Sequence, residues 1–279
     1  MFDIKKINIK DSNAKNDFFS SFQQTGFAVI ENHDISYELL DKVYKEWEQF
    51  FNSEEKNNYK FDEHVQDGFF PFRSESAKNN PIKDLKEFFH VYPGTKLPDT
   101  LSDITKSLYN QLVSLGNDLL VWLDELTPSN ISKNFSESLQ SMVNDSDRNL
   151  LRVLHYPPIK GSAEKGAIRA AAHEDINLIT LLVSGSQPGL EAMDRNKKWH
   201  KVPVDKGMIT VNVGDMLQMA SDGYFPSTSH RVINPESSHQ NVSRFSLPMF
   251  IHPRNEVMLK SGTTALDYLQ ERLHEIRLK

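Results

Sequence analysis

The chain contains no cysteine. Disulfides, thiolate metal ligands and cysteine nucleophiles are excluded together, so any metal must be held by His, Asp, Glu or water. No apolar run approaches the roughly 20 residues that a membrane span requires. The opening residues 1–10 mix Ile with Lys and lack the apolar stretch of a secretory signal. Positive charge is not in excess either. Lys and Arg number 32 against 38 Asp and Glu, a formal net charge of −6, which offers nothing general to a nucleic-acid backbone. Internal repeats and low-complexity linkers are also missing. Together these absences set the expectation of a cytoplasmic protein with no membrane or nucleic-acid partner. No heptad array stands out, so the expected state is a monomer or weak homodimer.

What is present is ample for a folded core: 279 residues, 38% hydrophobic and 25% charged. Apolar residues recur at helical spacing over 37–51, with Ser36 placed to cap, and again over 101–126, ending before Pro128. Gly116 inside the second run marks a close contact. Two strand-like runs, 27–31 and 88–92, interrupt this half. From residue 150 onward the pattern changes to short β-rich runs separated by Gly, Pro, Asn and Asp: 151–156, 168–173, 178–183, 190–193, 208–213, 229–233 and 244–251. Such a series suggests a sandwich or barrel. A last amphipathic helix is expected over 264–276, with Thr264 and Asp267 forming its cap. The expected division is an N-terminal module, 1–100, and a core, 101–279, in one compact unit, with the exposed seam between the helical and β-rich halves at 144–148.

Chemistry-bearing residues cluster in the second half. In His173-Glu174-Asp175 a strand places imidazole and carboxylate on one face and turns Glu174 away. That is two thirds of a two-histidine, one-carboxylate iron(II) site. Taken alone the motif is weak: random composition supplies about 0.7 His-x-Asp pairs in such a chain, and a surface pair on a strand explains one as well. The small residues of Ile168-Arg-Ala-Ala-Ala-His173 would leave room for a metal. His230, opening another strand-like run, is a candidate third ligand, although a single histidine is more often structural. Arg244 and Ser246 share a strand face while Phe245 faces the opposite layer, and in so apolar a strand an arginine needs an anion. A salt bridge to a strand-edge acid is the alternative. Tyr156, at the end of its strand, can donate to the same anion or pack as a rim aromatic. His155 would face out of the barrel.

The order of these pieces resembles the isopenicillin-N-synthase-like family of 2-oxoglutarate/iron(II)-dependent dioxygenases. Tyr156-Pro-Pro is followed by His173-x-Asp175, Asn212-Val-Gly-Asp-Met-Leu217, Ser227-Thr-Ser-His230-Arg-Val-Ile-Asn-Pro235 and Arg244-Phe-Ser246. Thr25-Gly-Phe-Ala-Val-Ile-Glu-Asn-His33 is similar to that family's N-terminal module. The resemblance spans roughly residues 18–253. It implies an α+β fold whose main element is a double-stranded β-helix, or jelly roll, flanked by helices. It implies iron(II) on His173, Asp175 and His230, and 2-oxoglutarate and dioxygen as co-substrates. Arg244 and Ser246, assisted by Tyr156, would take the distal carboxylate. The implied reaction hydroxylates or desaturates a small molecule and releases succinate and carbon dioxide. Two positions depart from the plant members of the family: Glu174 replaces a common Thr, and Leu154 a common Asn. Asn212 and Asp215 are expected to serve turn and barrel structure, and Asn177 to reach the metal's surroundings or to pair with backbone. Pocket candidates are Gly68-Phe-Phe-Pro-Phe-Arg73, Phe88, Phe89 and His90, with Arg73 or Arg169 as receptors for an acidic substrate or as plain surface charge. Two other readings stay open: an iron(II) oxidase or cyclase of the same fold that does not use 2-oxoglutarate, and a non-catalytic jelly-roll binding protein.

Overall fold

Alternate strands of the second half are dealt to two facing sheets, and that alternation makes the barrel. The computed structural model describes residues 2–61, 66–76, 82–159, 166–203, 205–235 and 241–277. In chain order the elements are β1 (Lys6–Asn8), α1 (Ala14–Thr25), β2 (Phe27–Glu31), α2 (Tyr37–Asn52), a 3-10 turn (Glu54–Tyr59), β3 (Gly68–Phe70), β4 (Glu87–Val91) and α3 (Ile104–Leu126). Two short helices follow, α4 (Ser129–Ser132) and α5 (Leu139–Val143). The barrel strands are β5 (Leu150–Tyr156), β6 (Ala170–His173), β7 (Ile179–Val183), β8 (Leu190–Met193), β9 (Trp199–Lys201), β10 (Ile209–Val213), β11 (His230–Val232) and β12 (Arg244–Ile251), with α6 (Asp215–Ala220) between β10 and β11. A hairpin, β13 (Met258–Lys260) and β14 (Thr263–Thr264), leads into α7 (Ala265–Arg277).

The large sheet runs β1-β2-β10-β7-β12-β5-β4-β3 and the small one β6-β11-β8-β9. All neighbours in both sheets are antiparallel except β1 with β2. This is the expected double-stranded β-helix with helices outside. The large sheet reads with period two. Leu151, Val153, Leu181, Val183, Val211, Leu247, Met249 and Ile251 face the helices, in one cluster with Trp47, Phe50, Leu108, Leu112 and Leu119. Leu154, Tyr156, Phe27, Val29 and Phe88 face the barrel interior, where they meet Leu190, Ala192 and Val232 of the small sheet.

The helices follow from local chemistry. Ser36 accepts the Leu39 amide at 3.1 Å and starts α2, whose buried stripe is Leu40, Val43, Trp47, Phe50 and Phe51. Gly26, at φ +71, closes α1 with its amide on the Phe22 carbonyl. α3 begins three residues later than its apolar spacing suggests, because the Ser102 amide is taken by Glu46 at 3.0 Å and Asp103 occupies the cap position. A Cβ on Gly116 would stand 2.9 Å from Cγ1 of Ile251, so the expected close approach of α3 is to β12. Thr264 and Asp267 cap α7 reciprocally. Sequence patterning misses α1 and the short strands β1, β3, β9, β13 and β14. Among the described residues, no helix is long and apolar enough to cross a membrane.

Candidate metal centre and co-substrate site

Three strands bring the predicted ligands to one spot. β11 pairs with both β6 and β8, and His230 lies directly opposite His173 and Ala192. Asp175 follows β6 by two residues. One ligand atom from each of His173, Asp175 and His230 lies within 4.8 Å of the others. Nε2 of His173 is 3.9 Å, and Nε2 of His230 3.7 Å, from the same oxygen, Oδ1 of Asp175. Ala192 opposite His230 keeps this level of the barrel open.

The hydrogen bonds around the three residues leave the right atoms uncommitted. Nδ1 of His173 donates to the Ala171 carbonyl at 2.7 Å, and Nδ1 of His230 to the Thr228 carbonyl at 3.2 Å. Carbonyls only accept, so each Nδ1 carries a proton and Nε2 is the ring nitrogen left to face Asp175. Asp175 is treated likewise: Oδ2 accepts from Thr180 Oγ1 at 2.6 Å and from Asn212 Nδ2 at 2.8 Å, which leaves Oδ1 facing both Nε2 atoms. Burial, then the charge of His230, holds the His173 imidazole below its ordinary pKa. Burial opposes the charge on Asp175, but the two histidines, Asn212 and Thr180 outweigh it and hold the carboxyl below the usual range. Two imidazole Nε2 atoms and an ionised carboxylate are the donor set that a divalent iron takes, so the residues fit the metal. Glu174 turns away and accepts from Ser229.

Further along the interior, β12 and β5 set Arg244 opposite Tyr156 and Ser246 opposite Leu154, all buried. Arg244 Cζ stands 5.1 Å from the centre of the Tyr156 ring. Nε of Arg244 donates to the Gln187 carbonyl at 2.9 Å, while Nη1 is buried with no hydrogen-bond partner. The salt bridge offered above as an alternative is not found among the described residues. Phe245 faces the helices and stacks on His155, whose Nδ1 meets Glu87 at 2.7 Å. His155 thus faces out of the barrel, as expected.

Two regions of the chain match known family models: residues 148–253 the 2OG-Fe(II) oxygenase superfamily, and residues 2–112 the N-terminal part of a non-haem dioxygenase in morphine synthesis. A crystal structure of an oxygenase candidate from Shewanella oneidensis shares 47% identity, covers 98% of each chain and superposes with a TM-score of 0.88. The chain belongs to the 2OG-Fe(II) oxygenase superfamily. A 2OG-Fe(II) oxygenase family protein from Caulobacter crescentus, 29% identical over 98% of each chain, has a TM-score of 0.78. A Neurospora crassa protein crystallised in complex with alpha-KG and thymine shares the fold, at 21% identity over 97% of this chain and 96% of that one, with a TM-score of 0.78. As a 2OG-Fe(II) oxygenase the protein is an oxidoreductase that uses iron(II) and 2-oxoglutarate, which removes the non-catalytic reading.

Several residues of this oxygenase gain roles that sequence reasoning missed. Asn212 bonds Asp175 directly and is more than a turn residue. Asn177 does both things expected of it: its Oδ1 accepts from Thr180 Oγ1, itself bonded to Asp175, at 3.2 Å, and its Nδ2 donates to the Ile179 carbonyl at 2.5 Å. Polar Thr180 and Asn212 at inward positions of otherwise apolar strands were the available signal. The aromatic pocket candidates divide by alternation. Phe70, Phe88 and His90 face the interior, whereas Phe69 and Phe89 pack on Phe50. Phe72 and Arg73 are exposed. Phe61, Phe70 and Phe88 form a stack with centroids 4.3 and 4.5 Å apart, and Arg152 lies over Phe88 at 4.6 Å. Beside it, buried Lys86 bonds Glu75 at 2.7 Å and Asp84 at 2.9 Å, and Arg152 bonds Glu75 at 3.2 Å. Arg152 Nε also donates to His90 Nε2 at 2.8 Å, so His90 is neutral; burial, then Arg152, holds its pKa far down. Arg169 is 1% exposed, so the surface-charge reading fails for it.

Proposed function

We propose that His173, Asp175 and His230 hold the iron, that Arg244 and Ser246, with Tyr156, take the distal carboxylate of 2-oxoglutarate, and that the protein hydroxylates or desaturates a small molecule. The observation that carries this is the convergence of two Nε2 atoms on one free carboxylate oxygen, with the competing Nδ1 and Oδ2 positions already hydrogen-bonded. When bound, iron(II) and 2-oxoglutarate supply the oxidising chemistry, with release of succinate and carbon dioxide. The chain's own residues fix orientation. Thr180 and Asn212 hold the carboxylate, the two carbonyls hold the imidazole tautomers, and Arg244 marks the far end of the co-substrate. Small-molecule substrates are supported by the thymine in the Neurospora crassa complex.

The test is succinate formation by anaerobically purified protein given iron(II), 2-oxoglutarate and oxygen, with and without a metabolite library. Stimulated succinate release is expected, together with loss of 2-oxoglutarate binding in Arg244→Ala. An oxidase or cyclase independent of 2-oxoglutarate would instead convert a library compound without succinate. Iron binding that survives each of His173→Ala, Asp175→Ala and His230→Ala would sink the metal assignment.

A further inference from the structure

The end of the barrel interior that holds Arg244 carries more positive charge than the proposed site uses. Arg169 stands one residue ahead of β6 and Arg244 opens β12; they are 1% and 2% exposed. Neither is held by an acid: Nη2 of Arg169 donates to the Val242 carbonyl at 2.8 Å, and Arg244 donates from Nε to the Gln187 carbonyl at 2.9 Å and also bonds the Tyr156 side chain. Each also keeps a buried nitrogen without a hydrogen-bond partner, Nε of Arg169 and Nη1 of Arg244. Among the described residues no carboxylate pairs with either. The nearby acids are engaged elsewhere: Glu75 and Asp84 with Lys86, and Glu191 with Arg231 at 2.8 Å.

Two buried guanidinium groups with no anion among the described residues are an unfinished arrangement, because carbonyl dipoles do not neutralise full charges. Burial, and then the charge of Arg244, pulls the Arg169 guanidinium down to about 10, so both remain cationic near neutrality. The groups that weigh on Arg169 are Arg244 and Tyr156. Those that weigh most on His173, at the proposed metal, are His230, Asp175 and Lys86. The chain itself ties Arg169 to the Arg244 end of the interior, since its Nη2 bonds the carbonyl of Val242, two residues before Arg244. It also lines a cavity of about 170 Å³ with Gln187, Gly189 and Asn234, so its surroundings are not filled by packing.

We propose that Arg169 is a second positioning residue for the co-substrate, its charge acting with that of Arg244 on the distal carboxylate of 2-oxoglutarate. This rests on the assignment of Arg244 and Ser246 to that carboxylate. It adds a residue outside the Arg-x-Ser pair and makes the barrel floor a two-arginine receptor for dicarboxylic 2-oxo acids.

The experiment is calorimetry on protein loaded with manganese(II), titrated with 2-oxoglutarate and with 2-oxopentanoate, the same five-carbon keto acid lacking the distal carboxylate. Arg169→Gln should weaken 2-oxoglutarate binding on the order of tenfold, leave 2-oxopentanoate and manganese affinities unchanged, and be largely rescued in Arg169→Lys, which restores the charge. Arg169→Met, which keeps the stem, replaces the Gln variant should that one not fold. Unchanged 2-oxoglutarate affinity in the neutral variant, or equal weakening of both keto acids, overturns the proposal. Arg244→Met keeps the two ideas apart: if it binds 2-oxoglutarate as wild type does, the carboxylate assignment itself has failed.

Discussion

Gly185→Ala should disable co-substrate binding without touching any group that contacts metal. An ideal Cβ at Gly185 would lie 2.8 Å from Nη2 and 3.0 Å from Cζ of Arg244, and 3.0 Å from the Phe245 carbonyl oxygen. Non-bonded carbon contacts settle nearer 3.5–4.0 Å, so something moves by roughly half an ångström or more. The Phe245 carbonyl is held by the Ser186 amide at 3.1 Å, and the Phe245 amide by Ser186 Oγ at 2.9 Å. The guanidinium is the softer partner. Its displacement costs little fold stability, about 1–2 kcal/mol, because the end of a long side chain can swing. The carboxylate that the guanidinium should meet loses more. A charge-assisted hydrogen bond is worth about 1.5–3 kcal/mol, and at about 1.4 kcal/mol per tenfold its loss weakens 2-oxoglutarate binding about ten- to a hundredfold. Calorimetry on manganese-loaded protein measures this directly, with metal affinity and melting temperature as controls. A folded Gly185→Ala protein that binds 2-oxoglutarate like wild type would refute the placement of the carboxylate at Arg244. A parallel loss of metal affinity would refute the claim that the effect is local.

Two stability predictions test the surrounding architecture. Burial pulls His252 from 6.5 down to about 4. The unfolded chain therefore takes up a proton near pH 6.5 that the folded chain refuses until about pH 4, and stability falls through that window as pH drops. The loss reaches about 2 kcal/mol at pH 5. Urea unfolding from pH 7 to 5 should show it, and His252→Gln should flatten the slope by that amount; a slope unchanged by the substitution defeats the prediction. Gly116→Ala should cost about 1 kcal/mol net, since the clash with Ile251 at 2.9 Å outweighs the better helix propensity of alanine. Thermal unfolding checks this, and a melting temperature that rises in Gly116→Ala would contradict the contact.

Strand alternation made much of the site legible in advance. In Arg244-Phe245-Ser246 the outer two side chains share a face, and β12 holds Phe245 against the helices as that rule requires; His173 and Asp175 meet as expected although the strand that was to align them ends at His173. The short strand Gly68–Phe70 was not legible, because three residues become a strand only by pairing with β4. Nor was the Lys86–Glu75–Arg152 network, whose members lie up to 77 residues apart and meet only through the pairing of β4 with β5. Arg169 misled for a different reason. An arginine beside a strand is usually solvated, and nothing local tells that the start of β6 lies beside the buried Arg244.

The charges of the barrel interior fall into three zones, and their arrangement bears on how a dicarboxylic co-substrate enters. The wall of Lys86, Asp84, Glu75 and Arg152 holds two cations and two carboxylates in mutual contact, so it is neutral as a unit and exerts little net pull. The metal level holds the Asp175 carboxylate between the imidazoles of His173 and His230. The end that holds Arg244 and Arg169 has no carboxylate paired with either guanidinium among the described residues and is cationic. On the proposed assignment the distal carboxylate of 2-oxoglutarate is therefore drawn to the floor whether or not metal is present, and the metal decides only the other end. The neutral wall leaves the adjoining space for a prime substrate, which need not compete with the co-substrate for the same cations. Removing Arg169 weakens that division before it harms the metal site, which is why its effect should appear in 2-oxoglutarate affinity and not in metal affinity.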